Sequence, residues 1–243
     1  MNSSEKFWEE FIEPGYYDNL YYKALSKNYG LQNAWEYYTV EHILDCLEKN
    51  NNSHLDYACG PGTLLNLINS NLKVGIDISQ KQINFAKKKY GNLNKFLHVD
   101  NRDQLVTSEV KFDTITCIGL FEFLNEEEIN NLLDYFFQLM HDNSTLIITT
   151  PKFSLTFNII LRISNLFRKF NYKSIHINKT DNQLLVKQFE KTKFQVVELR
   201  NIFTPAIFLS LFNIKFSFKI EKFLNRIFSY KFGFIQLAII KTK

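Results

Sequence analysis

The chain has 243 residues, 45% of them hydrophobic, with 24 Phe and 12 Tyr against 8 Gly and 4 Pro, enough to build the core of one large domain. Its net charge of +4 conceals an imbalance: residues 1–150 carry 12 Lys/Arg and 21 Asp/Glu, a net of −9, whereas residues 151–243 carry 17 and 4, a net of +13. No apolar run reaches the ~18–20 residues of a membrane span, the opening Met-Asn-Ser-Ser-Glu-Lys lacks the pattern of a signal peptide, and Cys46, Cys59 and Cys117 have neither disulfide-framework nor metal spacing, so a protein of the reducing cytoplasm without a bound metal is expected.

The first third is Tyr- and acid-rich helical sequence, and from Trp35 to Leu47 apolar residues recur at Val40, Ile43, Leu44 and Leu47 as one helical face. The texture then becomes alternating strand and helix. His54–Ala58 reads as a strand, Leu64–Ile68 as the helix after it, Leu72–Asp77 as a strand, and Ser79 as the cap of a helix to about Lys89. Phe96–Val99 and the β-branched run Phe112–Ile118 are strands. Asn125-Glu-Glu-Glu128 opens a helix to about Met140 in capping-box fashion. Thr145–Thr150 is a fifth strand stopped by Pro151. Beyond it, Phe153–Phe170 is amphipathic helical sequence, Asp181 caps a helix to about Lys191, and Phe194–Leu199 and Phe232–Ile240 are final strands. Between these two lies the apolar, aromatic stretch Ile202–Phe228, with Lys215, Lys219, Lys222 and Arg226 interspersed. Strands alternating with helices argue for an α/β, doubly wound parallel sheet, which binds ligands at the carboxyl ends of its strands.

The chemistry concentrates in Leu55-Asp56-Tyr57-Ala58-Cys59-Gly60-Pro61-Gly62-Thr63 and in Val74-Gly75-Ile76-Asp77-Ile78-Ser79. Gly60 and Gly62 let a ligand approach the backbone closely. Asp77, at the tip of the second strand and 15 residues after Gly62, suits two ribose hydroxyls. A dinucleotide fingerprint wants a glycine or alanine three residues after its second glycine, and this chain has Leu65 there. Asp56, just before the loop, would repel a pyrophosphate but suits an ammonium group. The ligand required has an amino-acid end, a ribose and an adenine.

The segment Asp56–Gly62 resembles the first motif of class I S-adenosylmethionine (SAM)-dependent methyltransferases of the small-molecule type, with Ala58 where that family usually has glycine. The resemblance covers about residues 52–151 well and 175–240 loosely. It implies a Rossmann-like, mostly parallel seven-stranded sheet in residues 51–243, an N-terminal helical lid in residues 1–50, and helical insertions at about 152–175 and 202–230. It implies SAM as cofactor, held by Asp56, Tyr57, Ala58, Cys59, Gly60 and Gly62. Asp77 would hold the ribose, Ile78 would lie against the adenine, and Asp100 and Asn101 would meet the adenine edge. Ile118 and Leu120, at the end of the fourth strand, would line the methyl-transfer site. Many relatives carry a histidine where this chain has Phe123, so His176 in Ser174-Ile-His-Ile-Asn-Lys is the candidate base. Tyr17, Tyr21 and Trp35 in the lid are candidate substrate contacts.

The expected activity is methyl transfer to a small molecule, at a hydroxyl of an apolar or anionic acceptor such as a lipid, quinone or glycan. The basic, Phe-rich last third adds an expected peripheral contact with membrane or lipid. Rivals are a non-catalytic SAM-binding adaptor, favoured by the missing histidine, and an NAD-dependent nucleotide-sugar enzyme, opposed by Leu65 and Asp56. Nothing resembles a motif for a flipped nucleobase, which ranks nucleic acid low as a partner.

Overall fold

The computed structural model describes residues 3–47, 51–154, 157 and 176–243. Three helices come first: α1 (Ser3–Glu10), α2 (Tyr16–Lys27) and α3 (Leu31–Leu44). Then β1 (Ser53–Tyr57), α4 (Thr63–Leu67), β2 (Leu72–Asp77), α5 (Gln80–Tyr90), β3 (Lys95–His98), α6 (Asp103–Thr107), β4 (Phe112–Ile118), α7 (Glu126–Gln138) and β5 (Met140–Pro151) alternate. The chain ends with α8 (Asn182–Glu190), β6 (Phe194–Ile202), a 3-10 turn (Pro205–Leu211), α9 (Ile214–Ile227) and β7 (Ile235–Thr242).

The strands form one seven-stranded sheet in the order β3-β2-β1-β4-β5-β7-β6. The first five are parallel, with Leu55 beside Val74 on one side and Ile115 on the other. β7 runs antiparallel to both β5 and β6. This is the expected Rossmann-like, mostly parallel α/β sheet. The winding reverses at β1, between β2 and β4, and the crevice above that point is where such sheets take ligands.

Local chemistry explains the boundaries. β4 reads Phe-Asp-Thr-Ile-Thr-Cys-Ile and is buried along nearly its whole length, as a central strand covered on both faces must be. Ser79 accepts from Gln82 N at the start of α5, and Asp181 accepts from Gln183 N and Leu184 N at the start of α8. At α7 both halves of the capping box form: Glu128 N donates to Asn125 Oδ1, and Asn125 N donates to Glu128 Oε2. One core lies under α7 and α8, around Phe112, Phe136, Leu146 and Phe189. A second lies under α3 and α9, around Tyr38, Ile43, Phe203 and Phe218.

Several boundaries differ from the sequence reading. The helix expected over Trp35–Leu47 is α3, one turn earlier, because Gly30 rather than a later residue starts it. β5 is twice the expected length: the exposed His141-Asp142-Asn143 belongs to it, with Met140 paired to Phe112. Pro151 ends that strand from inside, paired to Ile235, rather than stopping it from outside. β7 begins at Ile235 instead of Phe232, because Ser229 and Tyr230 take left-handed backbone angles in a turn. The amphipathic segment read at Phe153–Phe170 and most of the insertion expected at 152–175 lie outside the described residues. The insertion expected at 202–230 is the 3-10 turn and α9.

Candidate active site

Three left-handed residues shape the turn after β1: Ala58, Gly60 and Gly62, with φ of 66°, 51° and 79°. Ala58 carries the strain of a side chain there, where the resemblance leads one to expect glycine. A Cβ on Gly62 would come within 2.7 Å of the Phe96 ring, so only glycine lets the turn lie this close to the sheet. A Cβ on Gly60 would meet nothing within 4 Å. The turn is therefore clamped on its inner side and open on its outer side.

Two carboxylates flank it. Asp56 is buried on β1, and Thr116 on β4 donates to its Oδ1 at 2.7 Å. Burial and the nearby Asp77 charge push its carboxyl up to about 7, despite the Thr116 bond. Such a carboxylate lacks a cation. Asp77, at the end of β2, accepts from Gly60 N (2.7 Å) and Ser79 N (2.8 Å). Burial pushes its carboxyl up, and those two backbone bonds oppose the shift. Each oxygen retains a lone pair for a hydroxyl. Asp77 thus holds the Gly60 turn while Asp56 lies near enough to feel its charge, and this donor set fits an ammonium at Asp56 and a diol at Asp77.

The remaining cofactor candidates divide into a rim and a set that turns away. His98 Nε2 bonds Ile78 O at 2.8 Å, fixing the half-exposed Ile78 beside Asp77. Asp100 is exposed, 3.2 Å from His98 Nδ1, and Asn101 is exposed beside it. Ile118 and Leu120 are half-buried at the end of β4, separated by Gly119, whose N–H bonds Thr149 O. Tyr57 turns the other way: its ring packs on Phe136 and its hydroxyl accepts from Arg102 Nη1, leaving only its backbone at the turn. Cys59 is also buried, against Gly75 and Phe96.

The N-terminal helices are bonded to the elements that follow β1 and β2. Asp18 on α2 accepts from Thr63 at the start of α4, and from Lys89 and Tyr90 of α5. Glu9 on α1 accepts from Ser79, and Gln82 bonds both Gly15 N and Glu13 O. Beyond the end of β4, Trp8 meets Phe123 edge-on at 5.5 Å, and His176 lies between Phe123 and Phe153 at 5.3 and 5.4 Å. Tyr17 stands next to Trp8 at 6.5 Å.

Of the candidate substrate residues, Tyr17 alone belongs to this aromatic wall. Tyr21 is buried between α2 and α3 with its hydroxyl on Glu41, and Trp35 packs edge-on against Phe203 at 4.6 Å. The buried His176 has an unpartnered Nδ1, and burial, helped by Lys179, pushes its pKa down to about 4. Two carboxyls join it that the sequence did not single out. Glu122 is buried with Oε2 unpartnered, and burial pushes it up to about 8. Its carbonyl accepts from Ile177 N and Asn178 N, which ties the His176 segment to the end of β4. Glu36 on α3 is half-exposed, and its surroundings, then the charges of Asp18 and Asp56, push it up to about 8. The sequence signal for Glu122 was its place just after the fourth strand; Glu36 had none.

Residues 55–143, from β1 into the start of β5, match the family described as methyltransferase domain. No curated protein matches the chain. The fold around this segment is similar to that of a magnesium protoporphyrin IX methyltransferase from Synechocystis PCC 6803 with bound S-adenosylhomocysteine (SAH). The two share 17% identity and a TM-score of 0.58, over 94% of this chain and 97% of the other. A SAM-dependent methyltransferase from Archaeoglobus fulgidus gives 21% identity and a TM-score of 0.57, over 84% and 91%. One from Thiobacillus denitrificans, in complex with SAH, gives 15% and 0.53, over 84% and 91%. The matched segment thus sits in a Rossmann-like sheet whose likeness to these structures extends over most of each chain.

Proposed function

We propose that the protein is a SAM-dependent methyltransferase acting on a small-molecule hydroxyl. One observation carries this reading: a buried, cation-seeking Asp56 and a diol-competent Asp77 flank the open face of the Gly60–Gly62 turn. Asp56 would hold the methionine ammonium, Asp77 the ribose, and the Ile78–Asn101 rim the adenine. The structures with bound SAH that share the fold support the same cofactor.

Bound SAM supplies an electrophilic methyl group on sulfur. The acceptor oxygen would take that methyl group, and the hydroxyl proton would have to leave to a base. The chain's main task is alignment and exclusion of water, and proximity contributes about 7–11 kcal/mol in such reactions. Trp8, Phe123 and Phe153 give the acceptor side an apolar wall. At neutral pH His176 is uncharged with an unpartnered Nδ1 able to accept a hydrogen bond from a hydroxyl, whereas Glu122 is protonated and able to donate one. These two groups support a hydroxyl on an otherwise apolar acceptor.

Calorimetry with SAH and with NAD, followed by methyl-transfer assays on phenolic and lipid-soluble hydroxyl acceptors, tests the reading. SAH binding with turnover is expected, and His176→Ala should lower kcat by about 10²–10⁴ while leaving SAH affinity intact. Binding of NAD instead of SAH overturns the assignment. SAH binding without turnover on any acceptor favours an adaptor.

A further inference from the structure

α9 is amphipathic in an inverted sense. Its buried face carries Ser217, Glu221 and Asn225 beside Ile214 and Phe218. Apart from Asn225 Oδ1, those polar groups have partners inside. Ser217 bonds Tyr38 and Ala206 O, and Glu221 accepts from Phe203 N, Thr204 N, Thr204 Oγ1 and Asn225 Nδ2. The residues turned to solvent include Phe216, Phe223 and Ile227, which are 56%, 59% and 56% exposed. Phe212, just before the helix, is 85% exposed. An ordinary surface helix shows the reverse pattern.

The outward face is also ordered by charge. At about 100° per residue, Lys222, Lys215, Arg226 and Lys219 fall within an arc of about 60°, and Phe223, Phe216, Ile227 and Ile220 fill the next arc of about 60°. A cationic rail therefore runs alongside an apolar rail. Lys222 pairs with Asp45. The one carboxylate between residues 205 and 231 is Glu221, and it is buried. Paired rails of this kind suit a helix lying in the plane of a lipid interface, with aromatic side chains at the acyl boundary and cations among the headgroups.

We infer that α9, together with Phe212 two residues before it, docks the protein on an anionic lipid surface. Charge complementarity selects this occupant over a second copy of the chain. A symmetric pairing would set Lys215, Lys219 and Arg226 against their own images with no exposed carboxylate on the helix to relieve them. The surface is separate from the Asp56–Asp77 site, so the inference does not depend on the cofactor.

The test is flotation of the full chain with phosphatidylcholine vesicles and with mixed phosphatidylcholine–phosphatidylglycerol vesicles, at low and high salt. Sedimentation of the free protein runs in parallel. Binding to the mixed vesicles that weakens with salt is expected. Phe216→Ser with Phe223→Ser should weaken it by about tenfold per ring. Lys215→Gln, Lys219→Gln and Arg226→Gln should each weaken it about fivefold. All five substitutions are at exposed positions, and circular dichroism and Tm report whether the variants stay folded. No binding at low salt, equal binding to neutral vesicles, or binding unchanged in both variant sets overturns the inference. So does a dimer in free solution that the Phe variants dissociate, since that makes the face a protein interface.

Discussion

The raised carboxyl of Asp56 makes the affinity for SAH depend on pH in a direction that the structure fixes. Its carboxyl sits at about 7 without a ligand, because burial and the Asp77 charge disfavour ionisation. An ammonium partner needs the ionised form. Below 7 each binding event must therefore expel a proton, and Kd should rise about tenfold between pH 8 and pH 6, or ~1.4 kcal/mol. Asp56→Asn keeps the shape and a hydrogen-bonding oxygen for Thr116 but removes the charge. It should flatten the profile and cost about 1.5–3 kcal/mol of affinity at pH 8. Titration calorimetry in buffers of different ionisation enthalpy measures both the Kd and the protons released, which should approach one at low pH. The free protein carries the opposite trend. A carboxyl whose folded pKa is raised contributes stability that is full below its unfolded value, near 3.8, and is lost as pH rises through 7. The increase in Tm on adding SAH should accordingly be larger at pH 8 than at pH 6. Glu36, up to about 8, feels the Asp56 charge, so Glu36→Gln is the necessary control. A pH slope that survives in Asp56→Asn and vanishes in Glu36→Gln would refute the role given to Asp56.

Two further outcomes concern stability. Glu221→Ala leaves two backbone N–H groups, Thr204 and Asn225 without their acceptor, and removes the carboxylate 3.6 Å from His42 Nε2. A loss of about 3–5 kcal/mol in urea denaturation is expected, with Glu221→Gln losing less; a loss under about 1 kcal/mol contradicts the account. Burial pushes this carboxyl up, but His42 and Thr204 outweigh it and hold it below 4.5. Its contribution is therefore present above that pH and disappears as pH falls through the folded value. Gly62→Ala forces a Cβ to within 2.7 Å of Phe96 at a left-handed backbone angle, which should cost about 2–4 kcal/mol and lower Tm.

What was legible in the sequence was local. β2 and β4 have the limits read from their apolar runs, and the capping box at Asn125 declares itself in four residues. The glycine turn and the two aspartates were readable because strand tips and turn residues are set by short-range rules. Glu36 and Glu122 were not, because what perturbs them comes from distant segments and from burial that no spacing reveals. Tyr21 and Trp35 look like open aromatics in the sequence, yet tertiary packing engages them with Glu41 and Phe203. The orientation of α9 was hidden for the same reason. Ser217, Glu221 and Asn225 face inward only because Tyr38, Ala206 and the 203–204 turn supply partners there.

The Asp18 cluster sets which part of the N-terminal region yields first. Peeling α2 from α4 and α5 would break three bonds to Asp18 at once and leave the buried hydroxyls of Thr63 and Tyr90 without that acceptor, a costly loss where water does not readily replace it. The bonds of Glu9 to Ser79 and Lys81 lie nearer the surface, where water replaces a lost partner at small cost. The N-terminal helices are thus held with unequal strength: firmly at the middle helix, and most loosely at the first, whose Glu9 bonds Ser79 two residues after Asp77.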